Sequence, residues 1–330
     1  MSMFSQILAT ASYVPERVIK NGDLKQFPPA SIPLIHSKTG VLERRYAAED
    51  QCTSDLATEA ARLCLERAKL KPEDLDGIIL ATSSPDQPVP ATCSTVQANL
   101  DAGRAFAMDI NAVCTGAIYA LRVADAMIRA SQARRILVLA AEVYSRILNP
   151  NDFSTCPYFG DGAGAVLLEG AEQASRPHVK DGILRSDGRG ADLIRIPAGG
   201  SRLPFARLSD ARQQYFQMNG KAVFEFAIAK GVEVIEELCR VNSLSKEQVR
   251  HVVLHQANVN ILINIAKQTG LPMERLVVNL DRYGNTAAAS PLIGFDELSQ
   301  GDPARNLKGN CLIVAFGGGL TWGGILITVP

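Results

Sequence analysis

The sequence predicts an α/β fold that is built from two similar halves. Helical and strand patterns alternate along the chain, and three segments of the first half recur in the second half in the same order. Of the 330 residues, 47% are hydrophobic and 21% are charged, with no net formal charge. This composition provides a large apolar core and gives no support for a nucleic-acid or membrane-surface partner. No apolar run approaches the roughly 20 residues that are needed to span a bilayer.

The alternating elements can be followed along the first half. Residues 53–70 carry apolar side chains at helical spacing, whereas 76–84 form a short continuous apolar run, which is typical of a strand buried on both faces. A helix over 115–131 and a second buried strand over 134–142 follow. Strands that alternate with helices in this way favour a layered α/β arrangement.

An internal repeat divides the chain. The matching segments lie at nearly one separation, which indicates a duplicated fold whose halves pack about a pseudo-twofold axis. We therefore predict two domains, 1–172 and 173–330. The repeat also places Cys114 opposite Asn285, with His255 at the end of a strand between them. The matched pairs are 70–84 with 244–258, 135–142 with 311–318, and 106–117 with 276–287.

The seven cysteines and four histidines give no sign of a disulfide framework or of a metal centre. The cysteines are odd in number, scattered and free of C-x-x-C pairs, so we expect most of them to be reduced and buried in a cytoplasmic protein. The first residues lack the basic stretch of a signal peptide, which also favours the cytoplasm.

Cys114 stands between small residues where an apolar helix begins. One interpretation is a small core residue, which is the commoner role of a cysteine in such a setting. The other is a nucleophile, because the unpaired N–H groups at a helix start lower the pKa of a thiol. Gly116 and Ala117 leave room for a substrate. The stretch alone leaves both interpretations open.

His255 and Asn285 are further candidates for chemistry. His255 ends an apolar strand and is interpreted against His251, which lies earlier on the same strand and is expected to be structural. Asn285 has the alternative role of a helix cap. The glycine-rich stretches 158–166 and 315–324 match neither a phosphate loop nor a dinucleotide site, but the consecutive glycines of the second allow a turn whose N–H groups face a carbonyl oxygen.

A cysteine, a histidine and an asparagine in one site serve either peptide hydrolysis or acyl transfer, because the thiolate forms a thioester that a second reactant can accept. The chain lacks the signature around the cysteine of papain-like hydrolases, and its duplicated α/β pattern also argues against that class.

Five stretches then resemble the β-ketoacyl-acyl-carrier-protein synthase III family, which has the thiolase fold. They extend over nearly the whole chain in the family's order and spacing. The resemblance implies two duplicated βαβ halves in a five-layer α-β-α-β-α arrangement. The stretches are DINAVCTGAIYAL, FGDGAGAVLL, HQAN, DRYGNTAAAS and AFGGGLTWG.

The resemblance implies a decarboxylative Claisen condensation of an acyl thioester with malonyl-acyl carrier protein, in fatty acid or related secondary-metabolite biosynthesis, without a cofactor. Cys114 would accept the acyl group, and the backbone N–H groups of Cys114 and Gly318 would form the oxyanion hole. His255 and Asn285 would donate hydrogen bonds to the thioester carbonyl of the malonyl group.

The positions implied to bind substrate differ in part from the family's pattern. The tryptophan and the arginine that sandwich the adenine of CoA fall on Leu34 and Phe153, while Lys38 keeps a positive charge nearby. Phe159 and Phe316 would line the site. CoA affinity is therefore expected to differ from that of the fatty-acid initiator enzyme.

The implied partners are an acyl carrier protein, acyl-CoA and a second copy of the chain, with Val89 reaching into the acyl pocket of the other copy. Two positions that are basic in the family, where it meets the acidic carrier protein, are Glu225 and Asn260 here, although Lys267 is retained. The segment 196–218 looks long and is expected to reshape the acyl tunnel.

Two further functions stay open at this point. An acyltransferase or thioesterase of the same fold would pass the acyl group to an alcohol, an amine or water, and such relatives often alter the asparagine. A non-catalytic partner subunit would usually lose the cysteine or the histidine. Cys114, His255 and Asn285 are all present, which favours the condensing enzyme.

Overall fold

The computed structural model describes residues 3–300 and 307–330. Among its described residues, the first half has seven strands and four α-helices. The strands are β1 (Phe4–Tyr13), β2 (Arg17–Lys20), β3 (Glu43–Tyr46), β4 (Gly77–Ala81), β5 (Phe106–Ile110), β6 (Arg135–Glu142) and β7 (Gly162–Ala171). The helices are α1 (Ile32–Thr39), α2 (Thr53–Ala68), α3 (Thr92–Leu100) and α4 (Gly116–Arg129). Each predicted helix and strand of this half is therefore present, with ends within a few residues of the expected ones.

The second half repeats this plan. Its strands are β8 (His178–Ser186), β9 (Ile194–Arg195), β10 (Gln217–Met218), β11 (Val249–Leu254), β12 (Asn310–Gly317) and β13 (Thr321–Thr328). Its helices are α5 (Gly220–Val241), α6 (Val259–Thr269), α7 (Leu280–Tyr283) and α8 (Ser290–Gln300).

The duplication is visible in the order of the strands, β11-β12-β13-β8-β1-β7-β6-β4-β5. From the middle outward, β1-β7-β6-β4-β5 of the first half match β8-β13-β12-β11 of the second, and the backbone at Leu276 stands in the place of β5 through a parallel bridge to Val252. The halves join where Gln6 of β1 pairs with His178 of β8. The predicted boundary between 172 and 173 falls in the connection from β7 to β8, and the division into two domains stays a prediction.

The register corrects one detail of the predicted repeat. Gly77 pairs with Ile136, and its counterpart His251 pairs with Cys311. Ile136 is therefore the counterpart of Cys311, and the predicted match of Arg135 with Cys311 is one residue out. Both segments are continuous apolar runs, so the sequence offers little to fix their alignment, whereas the hydrogen-bonded ladder fixes it.

Three apolar clusters fill the spaces between the layers. The central cluster joins α4 and α8 to strands of both halves, and the two outer clusters lie beneath α2 with α3 and beneath α5 with α6. Along β4, Ile78 faces an outer cluster and Ile79 faces the central one, because successive side chains of a strand point to opposite faces. Each such buried isoleucine stabilises the fold by about 1.5–3 kcal/mol. These layers confirm the five-layer α/β fold.

Candidate active site

The candidate site contains two equivalent turns, one from each half of the chain. Cys114 lies in a 3-10 turn just before α4, where Val113 has a left-handed backbone (φ 48°) and donates its N–H to Asn111 Oδ1 at 3.2 Å. In the second half Ala287 has the same conformation (φ 44°) and donates its N–H to Asn285 Oδ1 at 2.8 Å. The duplicated fold therefore builds the same turn twice, with Asn111 as the counterpart of Asn285. The predicted match of 106–117 with 276–287 places Asn111 opposite Asp281 and is therefore wrong at this turn.

The oxygen and the nitrogen of the Asn285 side-chain amide have different hydrogen-bonding roles. Its Oδ1 is held by the N–H of Ala287, which is close to the capping role considered from the sequence. Within residues 3–300 and 307–330, its Nδ2 donates to no protein acceptor. The backbone of Asn285 is fixed by hydrogen bonds to Tyr158 and Gly160, at 2.8 and 3.0 Å. The side chain is thus oriented with one N–H₂ group left available to a ligand.

The glycine turn after β12 comes against the cysteine. A Cβ atom on Gly317 would lie 2.9 Å from both the backbone nitrogen and the Cβ of Cys114, so only glycine permits this approach. Gly318 follows and lies beside Val113. In the part of the chain that the structure describes, neither the N–H of Cys114 nor that of Gly318 donates to a protein acceptor. Two free N–H groups near one thiol are suited to an oxyanion.

His255 is the first residue after β11 and is buried. Its own N–H donates to the Val314 carbonyl at 2.8 Å, which ties it to the neighbouring strand. The ring Nδ1 lies 2.7 Å from Ser290 Oγ, and the ring packs edge-on against Phe316 with 5.6 Å between centroids. Burial lowers the pKa of His255 to about 3, which the nearby Ala287 carbonyl offsets only in part. The ring is therefore neutral and carries a single N–H.

The thiol of Cys114 is not activated in the way that the sequence suggested. Burial, and after it the charge of Glu142, raise the pKa of the Cys114 thiol, and the residue's own backbone N–H offsets this only in part. The expectation of a lowered pKa is therefore wrong for this structure, because a nearly fully buried thiolate loses its hydration. The protonated thiol is the resting form.

A cavity of about 240 Å³ leads toward the Asn285 turn. Three predicted residues line it, namely Lys38, Phe159 and Asn285, while Phe316 instead contacts His255. The remaining substrate-side predictions do not line this cavity. Among them Leu34 is exposed on α1, Phe153 packs edge-on against Phe27, and Val89 is 80% exposed in the loop before α3.

The predicted carrier-facing positions are on the outer helices. Glu225 and Lys267 are exposed on α5 and α6. Asn260 is half-buried, and its Nδ2 donates to the backbone carbonyl of Lys38 at 2.8 Å, as does Asn258 at 3.1 Å. The asparagine thus supports the backbone of a cavity residue, a role that its sequence position does not reveal.

Sequence reasoning missed an aromatic cluster beside the thiol. Tyr144 stacks on Phe159 with 5.0 Å between centroids, and Phe216 packs edge-on against both rings in the apolar cluster that includes Cys114. Phe216 belongs to the segment 196–218, whose length was the available signal. Tyr144 lies two residues after the end of the buried strand β6, where nothing in the sequence distinguishes it from a core residue.

A buried carboxyl group was also missed. Glu142 ends β6 and accepts hydrogen bonds from the hydroxyl and backbone N–H groups of Ser83 and Ser84. Burial raises the pKa of Glu142 to about 7, against the opposing effect of these serines. Ser83 also exchanges a hydrogen bond with the Tyr144 hydroxyl at 2.9 Å, so the carboxyl supports the aromatic cluster.

Two general features of the described residues limit the chemistry. No helix among them is both long and apolar enough to cross a membrane. No group of three or more histidine, cysteine, aspartate or glutamate side chains in residues 3–300 and 307–330 is arranged to hold a metal ion.

Comparisons with known proteins agree with this fold and show the family of the chain. The family model for 3-oxoacyl-[acyl-carrier-protein] synthase III matches residues 108–188, and the model for its C-terminal part matches 239–329. The chain is 42% identical to the β-ketoacyl-[acyl-carrier-protein] synthase III of a Roseiflexus species (strain RS-1), covering 99% of both chains. It is 40% identical to the third such synthase of Streptomyces coelicolor, covering 100% of this chain and 98% of the relative.

Solved structures give the same answer. The 3-oxoacyl-[acyl-carrier-protein] synthase III of Aquifex aeolicus superimposes with a TM-score of 0.89 at 36% identity, covering 98% of this chain and 99% of that one. The synthase of Thermus thermophilus gives 0.90 at 38% identity, with the same coverage. The fold and the site thus define an acyl-transferring condensing enzyme of the thiolase-like α/β class. Within that class, the chain belongs to the 3-oxoacyl-[acyl-carrier-protein] synthase III family.

Proposed function

We propose that the protein condenses an acyl thioester with malonyl-acyl carrier protein by decarboxylation, through an acyl-Cys114 intermediate. One observation carries this proposal: a turn from each half and the glycine turn after β12 meet around a single buried thiol. They leave the N–H groups of Cys114 and Gly318 and the Nδ2 of Asn285 without protein acceptors in the described chain. These free donors match a reaction in which the acyl carbonyl oxygen and the malonyl thioester carbonyl oxygen both gain negative charge.

In the first step, Cys114 Sγ attacks the carbonyl carbon of the acyl thioester. The tetrahedral oxyanion accepts hydrogen bonds from the N–H groups of Cys114 and Gly318. The bond to the donor sulfur then breaks, and the donor leaves as a thiol that carries the proton lost by Cys114. Because the resting cysteine is protonated, this step moves a proton but creates no lasting charge in the buried site.

In the second step, a malonyl thioester enters by the cavity that Lys38 and Phe159 line. His255 Nε2–H and Asn285 Nδ2–H donate to its thioester carbonyl. The bond to the carboxylate breaks, carbon dioxide leaves, and the two donors stabilise the enolate. The enolate carbon attacks the acyl-Cys114 carbonyl, the bond from that carbon to the Cys114 sulfur breaks, and the sulfur leaves as a thiolate that takes up one proton from solvent water. The substrates, these side chains and that proton account for every bond, so we propose that no cofactor takes part.

The finer aspects of this function are also proposals. The acyl donor is an acyl-CoA or an acyl carrier protein, and the malonyl donor is a carrier protein. We propose that Lys38 meets a negative charge of the donor at the cavity, and that Leu34 and Phe153 weaken the binding of CoA. We further propose a cytoplasmic homodimer in which the exposed Val89 reaches the acyl pocket of the other copy.

The test is intact-protein mass spectrometry after incubation with acyl-CoAs of increasing length. We expect an acyl label on the wild type and none on Cys114→Ala. Cys311→Ala is the matched control, because Cys311 is also buried in the second half's sheet and should not affect labelling. Addition of malonyl carrier protein should discharge the label with release of carbon dioxide. Discharge by water or an alcohol alone would instead assign the chain to the thioesterase or acyltransferase alternative.

A further inference from the structure

The aromatic cluster leaves little room beside the thiol. The ring centroids of Tyr144, Phe159 and Phe216 lie between 5.0 and 5.5 Å from one another. Rings at these separations are in direct contact, so no alkyl chain fits between them. Cys114 and Leu148 belong to the same apolar cluster as the three rings. A long acyl chain on Cys114 would therefore have to displace a ring.

The other sides of the Cys114 sulfur are needed for other parts of the substrate. In the proposed acyl-enzyme, the acyl carbonyl oxygen faces the free N–H groups of Cys114 and Gly318. The donor leaves through the cavity that Phe159 and Asn285 line. The alkyl chain then points to the remaining side, where Tyr144 and its apolar neighbours surround the thiol. An alkyl chain is also most stable in such apolar surroundings.

The surroundings become polar beyond Phe216. Its ring lines a second cavity, of about 660 Å³, whose other walls include the side chains of Asn149, Asp152 and Arg212. An alkyl chain that pushed past Phe216 would cover charged and amide groups, which lose their hydration without gaining a hydrogen-bond partner. The apolar space that is open to the acyl chain therefore ends at the aromatic cluster.

Tyr144 is the ring of this cluster that is held at both ends. Its backbone lies two residues after β6, and its hydroxyl group exchanges a hydrogen bond of 2.9 Å with Ser83 Oγ, in the turn after β4. Ser83 is fixed in turn, because its backbone N–H and its hydroxyl group donate to Glu142 at 3.1 and 2.9 Å. The rings of Phe159 and Phe216 have no polar atom and are held by packing alone.

This hydrogen-bonded network is more than apolar filling requires. A leucine at position 144 would fill the space between the neighbouring side chains without burying a hydroxyl group. A buried tyrosine hydroxyl needs a partner, and here the partner is a serine that is itself bound to the buried Glu142. The network is explained if the exact position of the Tyr144 ring matters to the site.

We propose that Tyr144, positioned by Ser83 and Glu142, restricts the acyl group on Cys114 to short chains, from acetyl to butyryl. Tyr144 determines specificity by contact with the acyl chain, whereas Ser83 and Glu142 act only through Tyr144. This inference rests on the proposed function, because it names the acyl substrate of the same site.

The experiment is a competition between acetyl-CoA and hexanoyl-CoA, at equal concentrations, for Cys114 of the full chain. Intact-protein mass spectrometry measures the two labels before the thiol is fully acylated. Their ratio does not depend on the fraction of active protein or on the CoA moiety, which both donors share. A single methylene group can change selectivity in an apolar pocket by about 10–200-fold, so we expect the wild type to favour acetyl by about 10²-fold or more.

The variants test the ring and its hydrogen bond separately. In Tyr144→Leu the preference for acetyl should fall by about 10-fold or more, because the wall is shortened. Tyr144→Phe keeps the ring but loses the hydrogen bond, and Ser83→Ala removes the same bond from the other side, so both should give intermediate ratios. Tyr119→Leu is the matched control, since this tyrosine of α4 donates its hydroxyl to the Arg185 carbonyl. It should keep the wild-type ratio.

Equal acetyl and hexanoyl labelling of the wild type would overturn the proposal, as would the wild-type ratio in Tyr144→Leu. The wild-type ratio in both Tyr144→Phe and Ser83→Ala would overturn the positioning role of Ser83. If Tyr144→Leu does not fold, the wild type and Tyr144→Phe still decide the question.

The proposed function fails in a different way. Labels that form on the wild type but are not discharged by malonyl carrier protein would contradict the condensation, whereas their ratio would still measure the acyl specificity. If the CoA donors give no label, the same two acyl groups are supplied on carrier protein. No label from either kind of donor would contradict the proposed function and this inference with it.

Discussion

The two halves of the molecule share a backbone plan but divide the chemistry between them. In the first half β4 ends in Ala81 and the following turn carries Cys114. In the second half β11 is followed by His255, and the turn position equivalent to Cys114 is Ala288. The counterparts of Cys114 and His255 are therefore alanines, whereas Asn285 has an asparagine, Asn111, as its counterpart. The duplication thus provides the same backbone geometry twice. Only one of each pair of equivalent positions carries the reactive thiol or imidazole, and the other carries a small side chain.

The last residues of β6 and β12 occupy equivalent positions in the two halves and also differ. Glu142 is the last residue of β6, and its counterpart Gly317 is the last of β12. Glu142 is buried and bonded to two serines, whereas Gly317 has no side chain and touches Cys114. The end of β6 therefore supports the aromatic cluster, whereas the backbone at the end of β12 packs against Cys114.

Gly317→Ala changes the last residue of β12. We expect it to have a larger effect than Glu142→Gln at the end of β6. The new Cβ would lie 2.9 Å from the Cys114 nitrogen, which forces the oxyanion donors apart. We expect the rate of Cys114 acylation to fall by about 10²-fold or more, the range for losing one such donor. Rapid-quench mass spectrometry measures this rate. Gly103→Ala is the control, because no atom lies within 4 Å of a Cβ there. Acylation of Gly317→Ala at the wild-type rate would refute the close approach.

Glu142→Gln tests the first strand end through the pH dependence of stability. Burial raises the pKa of Glu142 to about 7, so the fold favours the protonated carboxyl group. This stabilisation is complete below the unfolded pKa of 4.5 and is lost as the pH rises through 7. The wild type should therefore lose stability between pH 5 and pH 8, and Glu142→Gln should not. The free energy of unfolding of Glu142→Gln minus that of the wild type should increase by on the order of 3 kcal/mol from pH 5 to pH 8. Urea unfolding at the two pH values measures the difference.

His255 provides a control of opposite sign. Burial lowers its pKa to about 3, so its neutral ring contributes fully above the unfolded pKa of 6.5, and this contribution is lost as the pH falls toward 3. His255→Gln should differ from the wild type on the acid side, where Glu142→Gln does not. Parallel stability curves for wild type and Glu142→Gln between pH 5 and 8 would contradict the raised pKa of the carboxyl group.

Features that depend on many residues along the chain could be predicted from the sequence, whereas contacts between individual side chains could not. The alternating elements, the duplication and the positions of Cys114, His255 and Asn285 follow from periodicity, repeated segments and five co-linear motifs. The one-residue register of β12 could not be predicted, because apolar runs such as 311–318 align almost equally well at neighbouring positions.

The residues that support the site were missed for a related reason. Tyr144 and Glu142 make their contacts with residues that are distant in the chain, so no local pattern distinguishes them from core residues. The pKa of Cys114 was predicted in the wrong direction, because a helix start is visible in the sequence but the degree of burial is not.

The central claim is that Cys114 of one half takes the acyl group and His255 and Asn285 of the other half drive the condensation. The most direct measurement follows the mass of pre-acylated enzyme after malonyl carrier protein is added, in the wild type, His255→Ala and Asn285→Ala. We predict that all three accumulate the acyl label on Cys114, and that each variant discharges it about 10²–10³-fold more slowly than the wild type. Discharge of both variants at the wild-type rate would contradict this division between the halves.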